Sequence, residues 1–190
     1  EGGMLGRARM PQPIAYWKFD EGYGTTAHDS SGNNKHATLG IDVTKPTWIS
    51  EGKVGKALSF DGAANPNGDY ATANIPNAIK PNTGSFSISA WVKKNGNTGN
   101  SVIAAKFGYH GGLTPGGGVS CSLGNSVNQN FSISYPTQFS QWNHYVCVYD
   151  EDSSMLVLFV NGKKYDETQF SGAVRSYSDI FYIGGNGGNY

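Results

Sequence analysis

The sequence predicts an all-β protein built from two antiparallel sheets packed face to face. Three observations carry that prediction. Residues 86–92 alternate without a break, with Phe86, Ile88, Ala90 and Val92 on one side and Ser85, Ser87, Ser89 and Trp91 on the other. That is the period of two that a pleated strand imposes. Residues 142–149 and 155–160 fit beside this stretch as the centre of a sheet. Charged residues make up only 15% of the chain while glycine occurs 27 times, a balance that suits short strands joined by tight turns. At 190 residues a single domain is expected, long enough to bury a core without metals or disulfides.

The formal net charge is zero, so nucleic acid and anionic membranes find no electrostatic footprint here. No apolar run approaches the eighteen or so residues of a membrane span. Solubility that rests on neutral polar groups fits an extracellular or cell-surface location. The chain begins at Glu1 rather than Met and is read as a processed protein or a piece of a longer one.

Residues 1–13 read as a tail. Within it Met4, Gly6, Ala8 and Met10 alternate with Leu5, Arg7 and Arg9. One face is small or apolar and the other mostly basic, as in a strand lying along a sheet with one side buried. A glycine-rich leader without structure is the other reading. Residues 14–19 form the first strand of the domain proper. The run Asp29-Ser30-Ser31-Gly32-Asn33-Asn34 is a self-satisfied turn, because Asp and Ser side chains bond backbone groups two residues on, and Gly and Asn accept positive φ. The same oxygens are of the kind that hold a ligand or calcium.

Leu58 and Phe60 alternate inward before Asp61 opens a loop that leads to strand 70–73. Asp61, Asn65 and Asp69 are the candidate Ca²⁺ ligands, since a hard cation wants several oxygens. Turn chemistry explains the same residues equally well, and no other cofactor is implied. Residues 102–107 resume as a strand, and residues 108–118 form a glycine-rich loop carrying Tyr109. Tyr109 and Tyr23 are candidate sugar contacts, because an aromatic face meets the C–H face of a pyranose. Asn130-Phe131-Ser132 is a glycosylation sequon, which makes Asn130 a candidate modification site.

Cys121 and Cys147 fall in predicted strands. If those strands are neighbours, a disulfide would close a loop of about 27 residues and contribute roughly 3 kcal/mol in the chain-entropy model. Otherwise they are buried thiols acting as small hydrophobes. Trp142 and His144 read as structural. The acids at 150–152 sit at a hairpin tip, where charges are normally solvated. Asn161-Gly162 is a strong signal for a type I′ hairpin, and residues 180–183 are the final strand. The sequence carries no nucleophile elbow, zinc-spaced histidines or phosphate loop.

Several segments, in this order, resemble laminin-G-like members of the concanavalin A-like lectin/glucanase superfamily: YWKFDEGYGTTAHDSSGNNKHATL, GKVGKALSFDG, DYATA, SFSISAWVKK, WNHYVCVYD and LVLFVNGKKYD. The resemblance runs over about residues 14–185. It implies a two-sheet jelly roll occupying residues 14–190, a secreted or surface protein, and roles in carbohydrate binding, adhesion or as an accessory module. The glucanase branch carries alternating acids of the form Glu-x-Asp-x-x-Glu along one strand. None is present here, so an enzyme is not expected. Calcium near the 61–69 loop is implied together with a late acidic ligand that this chain lacks.

The resemblance also implies one more strand after 180–183, and that strand is absent. A sandwich without it has an open edge, a template for pairing with another chain. The tail, through Met4, Leu5, Ala8 and Met10, is the candidate filler. Inserted into a neighbouring subunit it gives strand addition, and head-to-tail repetition gives a filament. The expected function is therefore a non-catalytic extracellular structural subunit that forms a homopolymer by tail strand exchange. A carbohydrate-binding or adhesion module of a larger secreted protein, with glycans as partners, is the alternative.

Overall fold

A computed structural model describes residues 12–63, 68–75, 84–95, 103–106, 112–115, 118–136, 140–175 and 180–185. In chain order the strands are β1 (Thr26–Ala27), β2 (Ala37–Leu39), β3 (Thr47–Ile49), β4 (Ala57–Ser59), β5 (Ala71–Asn74), β6 (Phe86–Lys93) and β7 (Ala104–Lys106). They continue as β8 (Gly112–Pro115), β9 (Val119–Gly124), β10 (Asn130–Tyr135), β11 (Trp142–Asp150), β12 (Met155–Val160), β13 (Lys163–Gln169) and β14 (Ile180–Ile183). One 3-10 turn, Asp42–Thr44, interrupts them. The ladders run β1-β2-β5-β14-β7, β10-β9-β8, β13-β12-β11-β6 and β3-β4, all antiparallel. β7 lies against β8, so the five- and three-stranded sheets continue as one layer. The four-stranded sheet forms the other. This is the all-β, two-layer antiparallel sandwich of jelly-roll type that the sequence predicts.

The predicted centre is in place: β11 lies between β6 and β12. Alternation decides which side chains enter the core. Tyr145, Cys147 and Tyr149 of β11 and Leu156, Leu158 and Val160 of β12 are buried against Val119, Cys121, Leu123 and Ile133 of the facing layer. Phe170 fills the end of this cluster, its ring 4.9 Å from Phe131 and 5.1 Å from Tyr149. Burial, with the Tyr135 phenol nearby, pushes the Tyr145 hydroxyl up to about 12 despite a hydrogen bond with Asn143. Phe86, Ile88, Ala90 and Val92 point into the same core but stay half-buried. Among the described residues β6 has a partner strand, β11, on one side alone. Between β12 and β13, Asn161 and Gly162 both take positive φ, 50° and 78°, as the type I′ turn requires.

Cys121 and Cys147 are joined by a disulfide with the Cα atoms 5.4 Å apart. The neighbour relation on which the expectation rested is met across the layers, not within a sheet. β9 and β11 belong to different sheets, so the bond passes through the core and ties the two layers together.

A second cluster lies over the five-stranded sheet and is rich in alanine. Ala27, Ala37, Ala73 and Phe181 stand opposite one another across four strands, and the three alanines are all but inaccessible. Such a low surface leaves room for large side chains above it. Trp17, Trp48, Leu58 and Phe60 pack there, with the Trp17 ring stacked on Phe181 at 5.8 Å. Gly184, at φ 86°, lies so close to the Phe60 ring that a β-carbon would overlap it. Only glycine fits that approach without strain.

Two expectations about elements change. Residues 14–19 form no ladder among the described residues: they make one bridge, Trp17 with Asp29, and Phe19 takes a positive φ of 60°, which breaks an extended run. Conversely, the 108–118 stretch contains β8, paired with β9 from Gly112↔Ser122 to Pro115↔Val119. Glycine and proline weaken the β signal of such a segment, and pairing with β9 overrides it.

A clasp and a cleft around Tyr23

The Asp29–Asn34 run does more than satisfy its own turn. The Asp29 carboxylate accepts hydrogen bonds from the Tyr16 N–H at 2.9 Å, the Ser31 N–H at 2.8 Å, the Ser31 hydroxyl at 2.7 Å and the Lys35 N–H at 2.9 Å. Asn33 Nδ2 donates to the carbonyls of Pro13 and Ile14, and Trp17 Nε1 donates to the Lys35 carbonyl at 2.8 Å. The turn therefore clasps the 13–17 segment, which has no ladder among the described residues. Burial opposes the charge on Asp29, but the Tyr16, Lys35 and Ser31 N–H groups and the Ser31 hydroxyl outweigh it. They hold the carboxyl well below the usual range.

The same region carries a cleft of about 250 Å³ lined by Glu21, Tyr23, Gly24, Thr25, Thr26 and His28. Its shape follows from local chemistry. Gly22 and Gly24 adopt positive φ, 74° and 78°, which turns the chain sharply and throws Tyr23 outward. Trp48 Nε1 holds the Gly24 carbonyl at 3.1 Å. The His28 N–H donates to Glu21 Oε1 at 2.7 Å, while Glu21 Oε2 is sealed from solvent without a hydrogen-bond partner. Behind the cleft, Lys56 donates its N–H to Asp20 and its ammonium to the Glu21 carbonyl. Tyr23 is 80% exposed, an unusual degree for a residue so firmly placed at both ends of its loop. The result is an aromatic wall beside a carboxylate, two threonine side chains and an imidazole. Those groups can receive a polyhydroxyl ring, with the ring face on Tyr23 and the hydroxyls toward the polar floor.

The structure brings Asp61 and Asp69 together, but as partners in a turn. The Asp61 N–H donates to Asp69 Oδ2 at 2.9 Å and the Asp69 N–H to Asp61 Oδ1 at 3.0 Å. Ala63 donates a third bond, to Asp61 Oδ1. Burial raises the Asp69 carboxyl, offset in part by the Asp61 N–H and reinforced by the Asp61 charge. Among the described residues no group of three or more His, Cys, Asp or Glu side chains is placed to hold a metal. The described donors alone do not make a calcium site, which needs about six to eight oxygens. Asn65 lies outside the described residues.

Of the other candidates, Tyr109 and the tail residues Met4, Leu5, Ala8 and Met10 lie outside the described residues. Asn130 is exposed and opens β10, opposite Gly124. His144 is not buried structure alone: its ring packs 5.0 Å from the exposed Trp91. Sequence reasoning found Tyr23 but missed Glu21, Thr25, Thr26 and His28. The two glycines flanking Tyr23 were the available signal, since they mark a turn that presents the residue between them.

A family model for the concanavalin A-like lectin/glucanases superfamily, of laminin-G type, matches residues 65–190. No curated protein matches the chain by sequence. Among solved structures, domain 4 of AbnA, a GH43 extracellular arabinanase from Geobacillus stearothermophilus in complex with arabinotriose, is 20% identical with a TM-score of 0.66, covering 93% of this chain and 84% of that one. The receptor binding domain of botulinum neurotoxin D is 13% identical with a TM-score of 0.59, covering 86% of this chain and 42% of that one. The binding domain of botulinum neurotoxin DC in complex with SialylT is 13% identical with a TM-score of 0.55, covering 87% and 44%. This chain thus spans less than half the length of those toxin chains. At such identities the likeness is one of fold. No helix among the described residues is long and apolar enough to cross a membrane.

Proposed function

Since the chain belongs to the concanavalin A-like lectin/glucanases superfamily, we propose that it is a non-catalytic, extracellular carbohydrate-binding module whose recognition surface is the Tyr23 cleft. The observation that carries this reading is Tyr23 itself, 80% exposed on the wall of a cleft otherwise lined by hydrogen-bonding groups. A sugar would stack its C–H face on the phenol ring while Thr25, Thr26 and His28 meet its hydroxyls. Among the described residues Glu21 is the one carboxylate lining the cleft, whereas glycoside hydrolysis ordinarily employs a pair. The occurrence of an arabinotriose complex in one structure of this fold makes neutral oligosaccharides the first ligands to try. The experiment is calorimetric titration of wild type, Tyr23→Ala and Tyr23→Phe with neutral oligosaccharides chosen from a glycan array. Tyr23→Ala should weaken binding about tenfold, the size of one lost stacking contact, and Tyr23→Phe should retain most of it. Undiminished affinity in Tyr23→Ala sinks the assignment.

The edge position of β6 favours a second reading, assembly by strand exchange. Among the described residues its eight residues pair along one side alone, and the other side suits a strand that alternates as residues 4–10 do. The occupant would be the tail of a second copy, giving a homopolymer. Deleting residues 1–12 and comparing sedimentation and negative-stain images tests it. Identical assembly states before and after deletion count against strand exchange.

A further inference from the structure

A second exposed aromatic lies on the opposite layer, on the outer face of β6. Trp91 is 45% exposed. Its cross-strand partner is His144, with the rings 5.0 Å apart and inclined by 34°. The histidine is held in turn by Ser89, whose Oγ lies 2.7 Å from Nε2. Lys53, from the turn between β3 and β4, places its ammonium 5.0 Å from the Trp91 ring centroid. Lys93 follows two residues along β6 and so leaves the same face of the sheet.

Among the described residues the recorded ion pair is Lys164 with Glu167, and neither Lys53 nor Lys93 has a carboxylate partner. At the other end of β6 Asp150 is bonded to Ser85, about 20 Å from Trp91 at the usual rise per residue. Two lysines, an indole and an imidazole thus gather, and among the described residues neither ammonium is paired with a carboxylate. Lys53 and Lys93 are exposed, and an exposed ammonium over a ring contributes little by itself. Lys53 can turn to an anion while the indole receives the ring that carries it.

We propose that Trp91, with Lys53 and Lys93 beside it and His144 bracing the indole, is a second saccharide platform, selective for sugars bearing a carboxylate. The pyranose face lies on Trp91, and the carboxylate meets the two ammonium groups in charge-assisted hydrogen bonds. Lys53 and Lys56 belong to one hairpin, so this platform and the Tyr23 cleft flank the same β3–β4 turn. The platform is nonetheless independent of the Tyr23 reading, because no residue is shared and the ligand class differs.

The test titrates the intact protein with a uronic-acid oligosaccharide, its carboxyl-reduced neutral counterpart, a sulfated oligosaccharide, inorganic sulfate and single-stranded oligothymidine, following tryptophan fluorescence and heat. The uronate should bind with a fluorescence change and its neutral counterpart should bind at least about tenfold more weakly. Trp91→Ala should abolish the uronate signal, Trp91→Phe should retain a measurable part of the affinity, and Lys53→Ala with Lys93→Ala should weaken it roughly tenfold or more while flattening its salt dependence. Tyr23→Ala should leave uronate binding unchanged, which separates this site from the cleft. Equal affinity for the uronate and its neutral counterpart overturns the proposal. So does uronate binding that survives in Trp91→Ala, tighter binding of the sulfated sugar or oligothymidine, or complete competition by inorganic sulfate alone.

Discussion

The two halves of this sandwich are held together by different physics. Around β9–β12 the core is made of Leu, Val, Tyr and Phe side chains with a disulfide through its middle. Around β1, β2 and β5 the sheet surface is alanine, and the bulk comes from Trp17, Trp48 and Phe60 laid over it. The first half depends on apolar volume, each side chain filling space that no other can reach. The second depends on close approach and on a polar clasp, because its segment 13–17 has no ladder among the described residues and is fixed by Asp29, Asn33 and Ser31. The cleft that carries the candidate sugar site lies in the clasped half. A binding loop there is positioned by hydrogen bonds and glycine turns, and it can vary without disturbing the apolar half.

The contrast can be broken at several points. Leu158, fully buried, should cost about 3–4 kcal/mol when replaced by Ala, read from denaturant midpoints at constant slope. Replacing Cys121 and Cys147 together by Ala should remove about 3 kcal/mol, since the loop they close is moderately long. A loss below about 1 kcal/mol would mean that the layers hold without their cross-link. Ala73→Leu places a branched side chain under the indoles and should destabilise by about 2 kcal/mol, an overpacking effect that a loosely filled region would not show.

Asp29→Asn is the smallest expected change, about 1 kcal/mol at neutral pH, because the carboxylate is partly exposed and screened. Its signature is in the pH profile. The folded-state carboxyl is depressed below the ordinary value of 3.8. Its contribution is therefore fully present above that pH and drains away as the pH falls further. The variant should show a shallower loss of stability below about pH 4, and an unchanged acid limb would place the clasp's strength elsewhere. Hydrogen exchange at Tyr16 and Lys35, whose N–H groups face Asp29, should accelerate in the variant while β11 amides keep their protection.

Much of the apolar half was legible in advance, because a period of two is local. Phe86, Ile88, Ala90 and Val92 declare their face by position alone, and so do the partners in β11 and β12. Asn161-Gly162 likewise declares its turn through the positive φ that both residues tolerate. The clasped half was less legible. Asp29 reads as the start of a turn, yet its partners include Tyr16, thirteen residues earlier, and no neighbour in sequence signals that reach. The strand expected at 14–19 has the right composition but finds no ladder among the described residues. The strand at Gly112–Pro115 has the wrong composition and finds one.

The sequence by itself determined the fold class, the faces of the central strands, the tight hairpin and the exposure of Tyr23 between two glycines, all of which depend on a few adjacent residues. Tertiary structure alone decided that Cys121 and Cys147 meet across the layers, that Asp29 holds the first segment, and that Glu21, Thr25, Thr26 and His28 share a cleft with Tyr23. It also decided that Lys53 and His144 both meet Trp91. The physical reason is the same in each case. Local pattern fixes which way a side chain points, but only the pairing of distant strands and the packing of one layer on another fixes what it meets.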